Sequence, residues 1–285
     1  MNWETWKQRA VRFDVGATAV AGYDLGGGSA TRTLTFCHGY PSSSRDIAPL
    51  AAILGSNWRV LTIDFPGFGA SSPASSYSIH AAADAVEAWW TARSVGDTLL
   101  VAHDYGVSVA QELLARRADH QLDVAVSGVV WMNGGLYPDL HRPTLGQQLL
   151  LDPEHGAEFA ASITEVTFAD AIRATWGQRR PANDAELHDM FAALADGDGV
   201  PRMHELLHYI ADRREHEARW RVALEQCDLP MTFVWGDLDP VSGAHMIDRV
   251  EQRIPTADIR RLVDVGHWPP LEAPVDVASA IGSMP

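Results

Sequence analysis

Cysteine is scarce in this chain of 285 residues, and its scarcity excludes several classes of protein. The only two cysteines, Cys37 and Cys227, lie far apart and form neither a zinc-binding spacing nor a disulfide framework. Cys37 stands within an apolar run, so we expect it to be a small buried side chain. We therefore expect no metal site, and no motif in the chain implies an organic cofactor.

Basic residues and long apolar runs are also scarce. The chain has 22 lysines and arginines against 37 acidic residues, which gives a formal net charge of −15 at pH 7. This charge disfavours phosphate backbones and anionic lipids, so we expect neither nucleic acid nor a membrane as a partner. No apolar run reaches membrane-spanning length, and the N-terminus lacks the apolar region of a signal peptide. We expect a soluble, cytoplasmic protein.

Hydrophobic residues make up 46% of the chain, and much of this content falls in short apolar runs that alternate with helical patterns. The patterns predict strands at residues 11–15, 18–25, 34–37, 57–64, 99–102, 123–132, 231–236 and 259–265, and helices at 79–93, from 107 onward and from 274. A glycine-rich stretch at residues 26–31 predicts a break. Strands that alternate with helices indicate an α/β fold, with a mostly parallel sheet covered on both faces.

The alternation stops in the second half of the chain. From about residue 136 to 228 strand signals are missing, and helical signals take their place. Asn183 is followed three residues later by Glu186, which is close to a capping box at a helix start. We therefore expect residues 1–135 and 229–285 to form one α/β core and residues 136–228 to form a helical cap.

The stretch from Thr98 to Leu114 carries most of the functional interpretation. An apolar strand passes into a helix within about three residues, with no proline and no polar loop between them. Such a tight turn projects its central side chain, Asp104, clear of the sheet at the positive end of the helix. A carboxylate there is favoured in its ionised, nucleophilic form. The alternative is that Asp104 is an ordinary N-cap of the helix.

Polar residues also follow the other strands, and ligands of open α/β sheets bind at this edge. The strand ends carry His38, Asp64, Asp104, Asn133, Asp237, Asp239 and His267. A nucleophile, an acid and a histidine in this chain order match the order of a catalytic triad. The residues themselves leave Asp237 and Asp239 as competing acids.

The motifs around these residues resemble the α/β-hydrolase superfamily. They are His38-Gly-Tyr-Pro-Ser-Ser-Ser, Asp64-Phe-Pro-Gly-Phe-Gly, His103-Asp-Tyr-Gly, Asn133-Gly-Gly-Leu-Tyr-Pro with His141-Arg-Pro, and Gly236-Asp-Leu-Asp-Pro. Within it, the chain resembles the aspartate-nucleophile branch of epoxide hydrolases and haloalkane dehalogenases, and most of all the mesoderm-specific transcript protein-like group. The resemblance covers nearly the whole chain. It implies an α/β-hydrolase fold, with a mostly parallel eight-stranded sheet, helices on both faces and an inserted helical cap.

The resemblance also implies a role for each member of the triad. Asp104 would attack an electrophilic carbon and form a covalent alkyl-enzyme ester, which water activated by His267 would then hydrolyse. The family places the third member three residues after the strand-ending glycine, which selects Asp239 as the acid that orients His267. The backbone N–H groups of Tyr40 and Tyr105 are expected to form the oxyanion hole.

The donor to the leaving group decides between epoxide and halide chemistry. Haloalkane dehalogenases hold the halide with a tryptophan after the nucleophile and an asparagine in the first loop, where this chain has Tyr105 and Tyr40. Epoxide hydrolases instead direct phenol groups from the cap at the epoxide oxygen. Tyr209, about thirty residues before Asp239, resembles the second of these tyrosines. The alternative for Tyr209 is ordinary packing on an amphipathic helix.

Several further residues are candidates for the substrate pocket. The first cap tyrosine of epoxide hydrolases has no clear counterpart here, and Tyr137, His141 and His155 are the candidates. Trp268 directly follows the catalytic histidine and is expected to form an apolar wall of the pocket. Asn133, at a strand end, is a further candidate.

Together these features predict a hydrolase, and more narrowly an epoxide hydrolase that converts an epoxide into a vicinal diol. A haloalkane dehalogenase is the second interpretation. An esterase or lactonase, and a non-catalytic ligand-binding member of the fold, are further alternatives. The expected partners are a small apolar electrophilic substrate and water, and the protein is expected to be a monomer or a homodimer.

Overall fold

The computed structural model describes residues 1–26 and 30–285, so residues 27–29 of the predicted break lie outside the described residues. The strands of the described chain are β1 (Val11–Val15), β2 (Thr18–Asp24), β3 (Arg32–Cys37), β4 (Trp58–Asp64), β5 (Asp97–His103), β6 (Ala125–Met132), β7 (Met231–Gly236) and β8 (Asp258–Leu262). Each strand that the sequence pattern predicts is present. The bounds differ from the predicted ones by no more than a few residues.

Helices occur in both core segments and in the region between β6 and β7. They are α1 (Trp3–Lys7), α2 (Ala48–Leu54), α3 (Ile79–Ala92), α4 (Tyr105–Ala118), α5 (Leu145–Leu150), α6 (Gly156–Ser162), α7 (Glu165–Arg173), α8 (Asp184–Asp196), α9 (Met203–Leu206), α10 (Tyr209–Glu215), α11 (Glu217–Glu225), α12 (Ala244–Arg253), α13 (Pro269–Glu272) and α14 (Pro274–Ser283). Short 3-10 turns lie at Ser44–Ile47, Gly55–Asn57 and Pro138–Leu140.

The strands form one sheet in the order β1-β2-β4-β3-β5-β6-β7-β8. β1 and β2 form an antiparallel hairpin, and β2 pairs antiparallel with β4. All pairs from β4 to β8 are parallel. The carboxyl ends of β3, β5, β6 and β7 therefore lie along one edge of the sheet. The predicted mostly parallel, eight-stranded α/β architecture is confirmed.

The central strand β5 shows why the core has two layers. Its side chains alternate between the two faces of the sheet, as they must in a strand. Leu100 and Ala102 pack in one buried cluster, which includes residues of α3 and α4. Leu99 and Val101 pack in the other, which includes residues of α2 and α14. The sheet is therefore covered by helices on both faces, which explains why its central strands are apolar throughout.

The described residues between β6 and β7 form helices joined by loops, with no strand among them. The predicted start of a helix at Asn183 is present: its side chain accepts a hydrogen bond from the N–H of Glu186, and the Glu186 side chain bonds back to the N–H of Asn183. This reciprocal pair satisfies two N–H groups that the helix itself leaves open.

No helix among residues 1–26 and 30–285 is both long and apolar enough to cross a lipid bilayer.

Candidate active site

Asp104 occupies the single residue between β5 and α4. Its backbone has φ +47° and ψ −105°, a conformation that non-glycine residues rarely adopt and that often marks a functional site. Its side chain makes no capping bond to α4, so the interpretation of Asp104 as an ordinary N-cap is wrong. Instead its Oδ2 accepts a hydrogen bond of 2.8 Å from the backbone N–H of Tyr40.

A close approach of two backbones allows this turn. A Cβ on Gly106 would lie 2.1 Å from the carbonyl oxygen of Cys37, at the end of β3, so only glycine fits at this position. The Gly106 N–H donates to the carbonyl of His38 at 2.9 Å. Tyr105, the first residue of α4, has a backbone N–H that the helix cannot satisfy internally. The turn thus presents Asp104 next to the loop that carries Tyr40.

His267 and Asp239 form a buried pair beside Asp104. The Nδ1–H of His267 donates to Asp239 Oδ2 at 2.8 Å. Asp239 also accepts bonds from the hydroxyl of Ser242 at 2.7 Å and the N–H of Val241 at 2.8 Å. Burial opposes ionisation of Asp239, but the His267 ring and these bonds lower its pKa. Asp239 is therefore a carboxylate, and it fixes the ring of His267.

The alternative acid, Asp237, faces another way. Its carboxylate pairs with Arg261, with a distance of 3.1 Å between Oδ1 and the guanidinium Nε. Asp239 rather than Asp237 therefore lies against His267.

The other nitrogen of His267 faces Asp104. Its Nε2 lies 3.7 Å from Asp104 Oδ1. Burial opposes the charged form of the ring, but the Asp239 carboxylate, and then that of Asp104, raise the pKa of His267 to about 9. The resting site therefore holds an imidazolium between two carboxylates at neutral pH. Any reaction that removes the charge of Asp104 also removes one cause of this high pKa and so favours the neutral, basic form of His267.

Replacing Asp104 by asparagine is expected to lower the pKa of His267 from its wild-type value, because an amide has no negative charge to stabilise the imidazolium. Asparagine also tolerates a positive φ, so the turn should persist. An NMR titration of the His267 ring measures this pKa. Asp237→Asn is the control, since it removes a carboxylate that pairs with Arg261. An equal pKa in wild type and Asp104→Asn would show that Asp104 does not act on His267.

Asn133 lies outside the cavity described below, so its prediction as a pocket residue is wrong. Its side chain bridges the ends of two neighbouring strands: Nδ2 donates to the Gly236 carbonyl at 2.9 Å, and Oδ1 accepts from the Gly236 N–H at 2.7 Å. Nδ2 also lies 3.0 Å from Asp239 Oδ2. The amide is fully buried and helps to orient the acid instead of meeting a ligand.

The sequence interpretation missed Glu272, which holds the loop of His267. This buried carboxylate accepts backbone N–H groups from Gly266 and Trp268, on either side of His267, and from Gly177 in the region between β6 and β7. The ring of His103 adds a bond of 2.7 Å to the His267 carbonyl. Because a carbonyl only accepts, His103 Nε2 carries the proton. The periodicity of the sequence gives no signal for Glu272, since its partners are backbone groups, one of them 95 positions away in the chain.

A cavity of about 210 Å³ opens above Asp104, and both the core and the helices between β6 and β7 line it. Asp104, His267 and Trp268 form its core side. The opposite side comes from α5, α6, α7 and α9, and its apolar lining includes Leu150, Phe159, Ile163, Phe168, Ile172 and Met203. Such a lining favours an uncharged, apolar ligand.

Trp268 lies in the cavity wall, as the sequence interpretation expects, and is almost fully buried. Its indole N–H donates to the hydroxyl of Thr175 at 2.9 Å. The carbonyl of Thr175 in turn accepts the backbone N–H of His267. The indole N–H is thus already used to tie the loop of His267 to the region between β6 and β7.

Tyr209 begins α10 and packs beside Asp104 and its neighbours. Its ring centroid lies 4.9 Å from that of Tyr105 and 6.2 Å from that of Tyr40. Its hydroxyl is buried and has no hydrogen-bond partner among the described residues. Burial, and then the Asp104 carboxylate, raise the pKa of Tyr209, so the phenol is protonated at neutral pH. Tyr209 is next to Asp104, although it is not part of the cavity wall.

Three other candidates are not in the cavity wall, and for Tyr137 and His155 the prediction as pocket residues is wrong. Tyr137 faces a charged surface depression with Glu225 and Arg249. His155 is exposed and pairs with Asp152 in a turn before α6. His141 is outside the cavity wall; burial, and then the charge of Arg213, lower its pKa to about 4. Spacing in sequence could not show which way these side chains face.

No cluster of three or more histidine, cysteine or acidic side chains within the described residues has the arrangement of a metal site.

Comparisons with known proteins add to this geometry. A model of the alpha/beta hydrolase family matches residues 36–280. The chain is 33% identical over 257 residues to the mesoderm-specific transcript homolog protein of Bos taurus, covering 85% of this chain and 75% of that protein.

Solved structures also share the fold of this chain, and two of them illustrate the similarity. Haloalkane dehalogenase DbeA from Bradyrhizobium elkani has a TM-score of 0.77 at 21% identity and covers 95% of each chain. A Klebsiella pneumoniae protein provisionally identified as an epoxide hydrolase has a TM-score of 0.78 at 18% identity, covering 98% of this chain and 97% of that one.

Proposed function

We propose that this chain, which belongs to the alpha/beta hydrolase family, is a hydrolase whose nucleophile is the carboxylate of Asp104. The observation that carries this proposal is the geometry of that carboxylate. One oxygen is held by the Tyr40 N–H at 2.8 Å, and the other lies 3.7 Å from Nε2 of His267. A carboxylate at this position forms an ester with a carbon electrophile, whereas a serine would form one with an acyl group.

The reaction then has two steps. In the first, Asp104 Oδ1 attacks a substrate carbon, the bond from that carbon to the leaving group breaks, and an alkyl ester remains on the enzyme. In the second, His267 takes a proton from water, and the resulting hydroxide attacks the carbonyl carbon of the ester. The Tyr40 N–H, with that of Tyr105, stabilises the oxyanion that forms there. The ester bond then breaks, and the departing oxygen takes the proton of the newly added hydroxyl. The alcohol leaves, Asp104 is again a carboxylate, and His267 keeps the proton that it took from water.

The charge of Asp104 determines when His267 is protonated and when it can act as a base. Before the first step the carboxylate helps to keep His267 protonated, because it raises the pKa of the ring. Ester formation neutralises Asp104, so the pKa of His267 falls; the ring gives its proton to the basic oxygen that the first step leaves, and it is then a base when a base is needed. Asp239 remains ionised throughout and holds the ring in place.

An epoxide is the substrate class that we propose. Opening an epoxide leaves an alkoxide, which needs a proton or a hydrogen-bond donor. The Tyr209 phenol is buried, protonated and without a hydrogen-bond partner in the described chain, and it lies close enough to Asp104 for the carboxylate to raise its pKa. We assign it as this donor, and the product is a vicinal diol. The apolar lining of the cavity supports a small, uncharged, apolar substrate.

A haloalkane dehalogenase is the second candidate, and the fold shared with DbeA is compatible with it. A halide leaving group requires N–H donors near Asp104. The indole N–H of Trp268 is occupied by Thr175, and Tyr105 has no indole to offer. These two features favour the epoxide over the halide.

We also propose that residues 136–228 act as a cap, with residues 1–135 and 229–285 as the core. The support is the position of α5, α6, α7 and α9 on the side of the cavity opposite Asp104. A cap of this kind excludes water from the first step, in which water would compete with the carboxylate for the substrate.

A panel of styrene-type epoxides and bromoalkanes, each incubated with the purified protein, tests the proposed function. Diol formation from an epoxide is the expected result, and Asp104→Ala is the control that should form none. Release of bromide without diol formation from any epoxide would assign the protein to the dehalogenases. No product from either class would contradict the proposed function.

A further inference from the structure

A buried arginine from α10 reaches the nucleophile turn. The guanidinium of Arg213 donates from Nε to the hydroxyl of Ser108 at 2.6 Å and from a terminal nitrogen to the backbone carbonyl of Asp104 at 3.0 Å. It also lies over the ring of Tyr209, 4.5 Å from the centroid. Arg213 is only 2% exposed. One side chain from the region between β6 and β7 thus contacts the nucleophile residue, the helix behind it and the proposed donor.

This charge lacks the partner that a structural arginine usually has. Both hydrogen bonds go to neutral acceptors, and no carboxylate oxygen lies within 4.0 Å of the guanidinium in the part of the chain that the structure describes. Burying an unpaired charge costs free energy, and apolar residues often replace buried ionic groups without loss of stability. Folding alone therefore gives no reason for an arginine here.

We propose that Arg213 is a positioning residue for the reaction: it fixes the backbone of Asp104 and the phenol of Tyr209 relative to each other. The inference rests on the proposed function of this site. Asp104 has a strained backbone, and its carbonyl is held from one side by the Val107 N–H and from the other by Arg213. Without the guanidinium, this carbonyl and the Tyr209 ring lose their common contact.

The charge of Arg213 also acts on its neighbours. Burial and the Asp104 carboxylate raise the pKa of Tyr209, and Arg213 opposes them, which keeps the phenol a better acid than it would otherwise be. The same charge contributes to the low pKa of His141, about 4. Arg214 lowers the pKa of His141 to a smaller extent, so His141 reports mainly on the charge at position 213.

Two substitutions separate positioning from packing. Arg213→Met keeps much of the length and the contact with Tyr209 but removes the charge and both hydrogen bonds. Arg213→Lys keeps the charge, but a single ammonium group lacks the planar set of N–H donors with which the guanidinium reaches both acceptors. Arg214→Met is the matched control, because Arg214 is the exposed neighbour on the same helix. We expect kcat to fall about 10- to 100-fold in Arg213→Met, which is the usual loss for hydrogen bonds to a charged group. The kcat of Arg213→Lys should lie between those of Arg213→Met and the wild type. The kcat of Arg214→Met should equal that of the wild type.

The free energy of unfolding shows whether a loss of activity comes from a loss of folding. NMR measurements test the role of Arg213 without any substrate. In Arg213→Met, we expect an unchanged or higher free energy of unfolding, a higher pKa of His141 by NMR titration, and faster amide exchange at residues 104–108. A wild-type kcat in Arg213→Met, or a loss of activity matched by a loss of stability, would overturn the inference.

A wild-type protein that opens no epoxide would contradict the proposed function itself. The amide exchange and the His141 titration would then still decide whether Arg213 holds this turn: both changed in Arg213→Met would support it, and both unchanged would overturn it.

Discussion

Replacing Asp104 by alanine is expected to abolish turnover and to leave the fold intact. The carboxylate projects from the sheet at a turn, and its partners are one backbone N–H and the ring of His267, so few packing contacts are lost. The reaction itself loses the group that forms the ester. Removal of a nucleophile from a catalytic triad lowers kcat by roughly 10⁶-fold.

Far-UV circular dichroism and epoxide turnover, measured on the same sample, check this prediction. Asp237→Ala is a matched control, because Asp237 is the neighbouring acid that pairs with Arg261 instead of His267. It should retain near wild-type turnover. Appreciable activity in a folded Asp104→Ala protein would exclude the covalent mechanism.

Replacing Tyr209 by phenylalanine is expected to slow epoxide opening strongly and to change stability little. The ring contacts with Tyr40, Tyr105 and Arg213 persist, and the hydroxyl has no hydrogen-bond partner among the described residues to lose. Loss of one preorganised donor to a developing oxyanion typically costs about 2.7–4 kcal/mol, or roughly 10²- to 10³-fold in kcat. Any halide displacement by the same enzyme should suffer less, since a halide leaves without a proton.

Tyr137→Phe is the control for this substitution, because the Tyr137 hydroxyl is also buried but the residue lines a separate charged depression instead of packing beside Asp104. Steady-state diol formation and thermal unfolding are measured for both variants. If Tyr209→Phe opens epoxides as fast as the wild type, Tyr209 only packs in the cap. The proton would then have to come from His267, whose Nε2 lies 3.7 Å from Asp104 and whose pKa of about 9 keeps it protonated.

Local patterns in the sequence were sufficient to predict the sheet and the turn at Asp104. Strand β5 is apolar on both faces and is followed at once by a helical repeat, and both features depend only on neighbouring residues. The helix start at Asn183 is local in the same way. The proximity of Asp104, Asp239 and His267 followed from topology, because parallel strands bring their carboxyl ends to one edge. The assignment of roles to them came from the family resemblance.

Contacts between distant segments could not be predicted in this way. Glu272 binds backbone N–H groups on two segments, and backbone groups leave no trace in side-chain patterns. Arg213 looks like an ordinary basic residue near a helix end, yet it is buried against Asp104 and Ser108, more than a hundred positions earlier in the chain. The wrong predictions for Tyr137, His155 and Asn133 have the same origin. Residue type and position along the chain suggested a pocket, but the direction of each side chain depends on packing.

The mass of the His267→Gln protein after exposure to an epoxide tests the central claim most directly. Without a base to activate water, the ester on the nucleophile should accumulate. We predict a mass increase equal to that of the whole epoxide, located by peptide mapping on Asp104, and no increase in a protein that also carries Asp104→Ala. With an epoxide that the wild type converts to a diol, a His267→Gln protein of unchanged mass, or an adduct on any other residue, would contradict the covalent mechanism.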